Sequence, residues 1–494
     1  MTRPTVPAVP SREVLTTRAG ALRAAVPDEV AQLGEMFAAA GFDLVLVGGS
    51  VRDVLLGRAS TDLDFATSAR PDDTEAILKR WSNATWDMGR AFGTIGARRD
   101  DLIAEVTTFR ADEYDGATRK PVVAFGDSLD GDLARRDFTI NAMALRVGTG
   151  EFVDPFGGIE DLAGALLRTP IDADVSFGDD PLRMMRAARF AAQLGFDIEP
   201  ATFAAMARMA PRIEIVSAER VRDELTKLLL AANVREGLRV LVDAGIAEHV
   251  LPELPALKLE IDEHHHHKDV YDHTLTVVEQ AIDLETDADG AVPTPDLVLR
   301  LAALLHDVGK PATRRLEPGG GVSFHHHEVV GAKMAGRRLK ALKFDKDTVK
   351  AVTQLVELHL RFHGYGEARW SDSAVRRYVT DAGEQLERLH RLTRADVTTR
   401  NRRKAERLSF AYDDLEERIA QLRQQEQIDA IRPDLDGTEI MRTLGIGPGR
   451  HVGEAYRHLL ELRMEYGPLR ADQARERLLQ WWQARSAGRD GEDA

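Results

Sequence analysis

Residues 44–47 are four consecutive β-favouring apolar positions that meet Gly48 and Gly49, the pattern of a buried strand running into a tight turn. Residues 51–56 follow as a short helix stopped by Gly57, and 61–66 return to an extended pattern. Segments 95–98 and 102–109 are further strand candidates, so residues 40–165 predict a small mixed sheet with a few helices. Beyond Pro181 apolar positions recur at helical spacing nearly throughout, with breaks at 285–295 and 317–321 that read as loops. A polar, proline-bearing leader over residues 1–20 and the final GRDGEDA are expected to be disordered. The predicted class is α+β: a sheet-containing head followed by an all-α body.

Composition narrows this picture. At roughly 100–200 residues per domain, 494 residues suggest about three or four units. No apolar stretch approaches the ~20 residues of a bilayer span, and the N-terminus lacks a signal-peptide plan, so no membrane association and a cytoplasmic location are expected. The absence of cysteine excludes disulfides and thiolate metal sites. A net charge of −15 argues against general nucleic-acid binding, so any RNA contact must be locally basic.

The first chemical constellation is LVGGSVRDVLLGRASTDLDF, residues 46–65. Side chains at i and i+2 of a strand share a face, so Asp62 and Asp64 present two hard carboxylates to one spot, which suits magnesium. Gly48 and Gly49 let the backbone approach a phosphate, Ser50 and the following helix start offer donors, and Arg52 and Arg58 bring positive charge. An isolated Asp-x-Asp is usually a solvated strand edge; the combination reverses that reading. Glu105, on the next strand candidate, is a third carboxylate as readily explained as an ordinary surface charge.

This segment resembles the nucleotide-binding signature of the class II tRNA nucleotidyltransferase and poly(A) polymerase group, within the polymerase-β-like superfamily. RRDFTINAMA (135–144), DPFGGIEDL (154–162), DDPLRMMRAARFAAQLGF (179–196) and ERVRDELTKLL (219–229) resemble its later motifs in order. The resemblance implies a two-magnesium transfer at Asp62 and Asp64, with Arg52 and Arg136 meeting the triphosphate. It also implies template-free nucleotide choice by Asp179, Asp180 and Arg183, although the family commonly has Glu at position 179. An acceptor carboxylate at Asp180 beside the Arg183 guanidinium complements the edges of cytosine and adenine but not those of uracil or guanine. Arg186 and Arg189 lie on the same helical ridge, positioned to reach phosphates or steady the pocket. Segments 89–97 and 107–136 resemble those of complete CCA-adding enzymes, so CCA addition to tRNA from CTP and ATP is expected. Partial CC- or A-addition and poly(A) synthesis are the alternatives.

A second constellation comprises His273, His306, Asp307, His327, His359 and Asp396, within YDHTL, LLHDVGK, HHHEVVGA, LVELHL and RADV. It resembles the HD phosphohydrolase superfamily. Imidazoles and carboxylates suit a divalent transition metal, with His273, His306, Asp307 and Asp396 around one ion and His327 and His359 extending the set to two. The run at 264–267 and His325 and His326 are expected to be exposed or outside the ligand set. For RNA, residues 387–407 carry eight basic against three acidic side chains, and residues 436–462 place glycines between two helical stretches where backbone amides can meet phosphate. The expected organisation is thus a head over 21–165, a helical neck over 166–255, an HD domain over 256–410 and a helical C-terminal region over 411–494. Readings of another class are an HD phosphohydrolase with an inactive transferase head and a noncatalytic tRNA-binding protein.

Overall fold

The structure, a computed structural model, describes residues 9–58, 62–109, 128–258, 269–285, 295–318, 321–362, 365, 370–398, 401–426 and 432–489; of Asp62 it describes the backbone only. Most of the segment between residues 107 and 136, and the histidine run at 264–267, therefore lie outside the described residues. The chain divides into two compact units, Met1–Lys258 with Ala341–Phe344, and Leu259–Lys340 with Asp345–Ala494.

The first unit contains a seven-stranded sheet: β1 Leu44–Val47, β2 Asp62–Thr67, β3 Ala84–Trp86, β4 Thr94–Arg99, β5 Leu102–Thr108, β6 Ala144–Arg146 and β7 Phe152–Val153. Their spatial order is β3-β4-β5-β2-β1-β6-β7, parallel between β2 and β5 and antiparallel elsewhere. Strand alternation gives the two faces different characters. Leu63, Phe65, Ile95, Ala97, Ala104 and Val106 form a buried face, onto which the helices Asp28–Ala39 and Pro71–Trp81 bring Leu33, Phe37, Ile77 and Leu78. On the opposite face, Val45, Val47, Ala66 and Ala144 pack with Leu129 and Leu133 of the helix Leu129–Ala134. That helix covers the β1 and β6 side, while Asp64, Glu105 and Arg98 remain exposed on the other.

The sequence expectation of a disordered leader to residue 20 is corrected here: Arg12–Ala25 is a helix. Leu15, Ala19 and Leu22, spaced i, i+4, i+7, are all buried, and this short apolar stripe repays the ordering of the segment.

The remainder of the unit is helical. Leu182–Leu194 ends at Gly195 in the left-handed region (φ 71°) and packs against Ala218–Leu229 and Val234–Asp243. Its crossing with the last helix depends on Gly237, where a Cβ would stand 2.9 Å from both the Ala188 carbonyl oxygen and the Ala192 Cβ.

In the second unit, Val270–Leu284, Leu297–Leu305, Lys346–Leu358 and Leu386–Ala395 build one helical core, which His327–Ala341 meets where Gly331 and Gly336 approach Val356 and Thr353. A smaller core forms where Gly437–Leu444, Arg450–Tyr466 and Ala471–Arg489 bury Ile440, Ala455, Leu459, Ala474 and Leu478. Among the described residues no helix is long and apolar enough to cross a membrane.

Candidate active site

In the first unit, the turn after β1 brings a strand end against two charged side chains. Gly48 has φ 72°, and a Cβ there would lie 3.0 Å from Arg136 Nη1 and 3.9 Å from Asp64 Oδ2, so glycine is required for conformation and for close approach alike. Ser50 Oγ accepts a hydrogen bond from the Asp64 backbone N–H at 3.2 Å, tying the helix Gly49–Leu55 to β2. Asp64 pairs across the parallel ladder with Glu105. A cavity of about 220 Å³ opens here, lined by Val47, Asp64, Phe65, Glu105, Thr107, Arg135 and Arg136. Asp62 heads the same strand two residues earlier, and its side chain lies outside the described residues.

Asp132 positions the two cavity arginines. Its Oδ1 accepts from Arg135 Nη2 at 2.6 Å and its Oδ2 from Arg136 Nη2 at 3.1 Å. Burial of this side chain opposes ionisation, yet the two guanidinium groups hold its pKa below the usual value. Sequence reasoning singled out Arg136 but missed Arg135 and Asp132; their i, i+3 and i+4 spacing on a short helix was the available signal. The strand alternation of AEVTT likewise signalled that Glu105 joins Asp64 on one face.

Arg52, Arg186 and Arg189 are engaged differently. Arg52 is paired with Asp53 (Nε to Oδ1, 2.9 Å) and donates to Asn141 Oδ1 at 2.8 Å. Asn141 in turn donates to Asp137 Oδ1 at 3.0 Å, and Asp137 Oδ2 accepts from Arg186 Nε at 2.7 Å. Burial pushes the Asp137 carboxyl up, but the Arg186 charge and the hydrogen bonds from Asn141, Arg186 and the Phe138 N–H hold it well below the carboxylate range. Arg189 lies 4.0 Å over the Phe190 ring and is paired with buried Glu224 at 2.6 Å. All three guanidinium groups gather over the Phe190 ring, at 5.3, 5.8 and 4.0 Å from its centroid.

Arg183 is buried, donating to Ser176 Oγ at 2.8 Å and to the Arg135 carbonyl. Asp180 caps the Leu182 N–H at 3.1 Å and pairs with Arg220 at 2.7 Å. Of the sequence-predicted base-reading pair, Arg183 thus stands one hydrogen bond from Arg135 of the cavity.

In the second unit the six histidine and aspartate candidates converge. His306, His359 and Asp396 each follow the last residue of a helix, while His327 begins one. The contact that brings His327 to Asp307 passes through Gly309, where a Cβ would be 2.1 Å from the His327 carbonyl oxygen and 2.7 Å from the Gly331 N. His306, His327 and His359 each turn Nδ1 to the carbonyl three residues earlier, at 2.8, 2.8 and 2.7 Å. Nδ1 is therefore a donor, which turns the Nε2 atoms inward. His273 Nε2 is 3.0 Å from Asp396 Oδ1, His306 Nε2 is 3.2 Å from Asp307 Oδ2, and His327 Nε2 is 3.2 Å from Asp307 Oδ1. His359 Nε2 is buried with no hydrogen-bond partner.

Two ligand groups result, His273–His306–Asp307 and Asp307–His327–His359, with Asp307 shared. Burial lowers His359 to about 3, so it is a neutral donor; Asp307 and Asp396 overcome burial to raise His306 to about 10, so its Nε2 holds a proton toward these carboxylates that a bound cation would displace. Lys310, 2.9 Å from Asp307 Oδ2, was missed in the sequence reading. Inward Nε2 atoms beside two buried carboxylates fit a divalent cation. His325 and His326 are exposed. Within the basic segment, Arg388, Arg391 and Arg394 are engaged with Asp296, the Leu284 carbonyl and Asp413, which leaves Arg402, Arg403, Lys404 and Arg407 exposed.

Carboxylates on a mixed sheet, arginines around a phosphate-sized cavity and a glycine turn beneath them define a nucleotidyltransferase head. Comparison with known proteins finds the same head and HD domains. Residues 44–168 match the poly A polymerase head domain, 195–257 the probable RNA and SrmB-binding site of polymerase A, and 270–401 the HD domain. The A-adding tRNA nucleotidyltransferase of Deinococcus radiodurans is 35% identical over 452 residues, covering 90% of this chain and 96% of that protein. The CCA-adding enzyme of Streptococcus sanguinis is 44% identical over 229 residues, 46% of this chain and 56% of its own. Among solved structures, the CCA-adding enzyme of Bacillus stearothermophilus in complex with CTP superposes with a TM-score of 0.63 at 26% identity, covering 93% of this chain and 98% of that one. The chain belongs to the tRNA nucleotidyltransferase family.

Proposed function

We propose that this protein adds C, C and A to the 3′ end of tRNA from CTP and ATP, without a nucleic-acid template, at Asp62 and Asp64. The observation that carries the reading is the cavity in which Asp64 and Glu105 face Arg135 and Arg136 beside Gly48. The tRNA 3′-hydroxyl attacks the α-phosphate, the new O–P bond forms, and the bond to the β-phosphate breaks to release pyrophosphate. Arg135 and Arg136, preset by Asp132, meet the leaving charge, so no reorganisation is needed as it develops. The Gly48 and Gly49 backbone, with Ser50, forms the floor under the triphosphate. Magnesium bound at the carboxylates would supply Lewis acidity at the reacting phosphate.

Asp180 and Arg183 read the base by exchanging Arg220 and the backbone carbonyls for its edge. The link from Arg183 to the Arg135 carbonyl couples base reading to the phosphate site. Arg52, Arg186 and Arg189 hold this pocket in shape. A tRNA substrate supports a cytoplasmic location.

The test supplies tRNA lacking its terminal CCA with CTP alone, ATP alone or both. Two cytidines with CTP alone and a further adenosine with both support full addition. Incorporation restricted to ATP on a transcript ending in CC identifies an A-adding enzyme instead, the activity named for the D. radiodurans relative.

The inward-facing Nε2 atoms favour a second activity at the HD site, hydrolysis of phosphomonoesters or of 2′,3′-cyclic phosphates on nucleotides or RNA ends. A divalent transition metal held there would activate water and hold a phosphate oxygen. Hydrolysis that is stimulated by added metal and abolished in His306→Ala supports this reading; hydrolysis unchanged in that variant contradicts it.

A further inference from the structure

The sheet face that carries Asp64 and Glu105 also carries an aromatic ring that the chemistry above leaves unused. Trp86 ends β3; its cross-strand partner is Gly96 in β4, whose partner in β5 is Glu105, whose partner in β2 is Asp64. Directly paired residues project to one face, so an indole, a glycine and two carboxylates form a row across four strands. Gly96 makes the row flat. A Cβ there would lie 2.0 Å from Trp86 Nε1 and 2.1 Å from Cε2, which means the indole rests on the glycine backbone. At a strand spacing of about 4.8 Å the ring stands one strand from Glu105 and two from Asp64.

The turn beyond Trp86 carries two exposed apolar side chains and is tied to its neighbours. Met88 is 89% and Phe92 54% exposed. Arg90 between them pairs with Asp72 and Glu75, and Gly89 lies so close to Thr94 that a Cβ would meet its Cβ at 2.8 Å. Thr94 Oγ1 in turn meets Thr107 Oγ1 at 2.9 Å, at the wall of the catalytic cavity.

Direction selects the occupant. Arg136 lies beside Gly48 at the other end of the row, and Arg135 lines the same cavity. In an in-line displacement the attacking oxygen stands opposite the leaving group. With pyrophosphate drawn to the arginines, the RNA 3′-hydroxyl arrives from the β4 and β3 side. Aromatic faces hold single-stranded bases by stacking with little regard to sequence, which suits an end whose last base changes with each addition. We infer that Trp86 is the platform on which the 3′-terminal base of the acceptor RNA stacks, an assignment that rests on the transferase reading.

The experiment compares wild type, Trp86→Ala and Trp86→Phe on a tRNA transcript lacking its CCA end, varying RNA and CTP separately. Stacking predicts a KM for RNA raised about tenfold in Trp86→Ala, largely restored in Trp86→Phe, with the KM for CTP nearly unchanged. A transcript ending in 2-aminopurine should be quenched on binding to wild type and to Trp86→Phe but not to Trp86→Ala; Trp86→Phe keeps an aromatic ring on Gly96 should the smaller variant fold poorly. An unchanged KM for RNA and an unchanged quench in a folded Trp86→Ala overturn the inference while the wild type still incorporates nucleotide. A rise confined to the KM for CTP assigns the ring to the incoming nucleotide and also overturns it. Wild-type protein that incorporates nothing defeats the transferase reading, and this inference with it.

Discussion

Ionic partners decide which arginines face the cavity. Arg136 shares Asp132 with Arg135 and points at Gly48, whereas Arg186 is committed to Asp137. Replacing each by alanine should therefore have opposite signatures. Arg136→Ala should lower kcat/KM about a hundredfold with little loss of stability. Arg186→Ala leaves a buried carboxylate unpaired and should cost about 3–5 kcal/mol in chemical denaturation. Equal kinetic losses at unchanged stability would contradict this division.

The carboxylate face was legible in the sequence because strand alternation is strict. The carboxylates that capture Arg52 and Arg186 were not, since a motif shows that charge is present and not which partner takes it. A buried histidine outside both sites gives a pH signature. His390 stacks on Tyr378 with ring centroids 5.8 Å apart, and burial, reinforced by neighbouring arginines, lowers it to about 3 from 6.5. A depressed folded pKa means its contribution is complete above pH 6.5 and declines as pH falls from there toward 3. Between pH 7 and pH 5 the loss should be about 2 kcal/mol, and His390→Phe should remove that dependence; an unchanged pH profile would refute it.

At the scale of elements, the ends of helices carry the histidine and aspartate cluster of the second unit. His306, His359 and Asp396 cap helix C-termini, where partial negative charge favours a cation, and the i−3 carbonyls of the turn fix the tautomer of the two histidines. The candidate residues were legible as a motif order; their convergence depended on a helix contact too long-range for local pattern. Gly309→Ala should separate His327 from Asp307, weakening metal affinity by tenfold or more by calorimetry, on the order of the 10–100-fold cost typical of disturbed ligand support. Affinity equal to wild type would show that His327 is no ligand. The N-terminal helix escaped the sequence reading because its stripe of Leu15, Ala19 and Leu22 is short and set among polar residues.

For the whole molecule, a charge of −15 coexists with cationic sites because the basic side chains are concentrated: Arg135 and Arg136 at one cavity, and Arg402, Arg403, Lys404 and Arg407 exposed on one helix. Each unit carries its own core and its own candidate centre, so removing transition metal with magnesium kept in excess should lower the unfolding temperature of the second unit without shifting that of the first. The central claim concerns Asp64 beside the arginine-lined cavity. Its most direct test is single-turnover incorporation of labelled CMP into tRNA lacking CCA, by wild type and by Asp64→Asn. The account predicts rapid incorporation by the wild type and a loss of about a thousandfold or more in a folded variant. Comparable rates in the two proteins would contradict it.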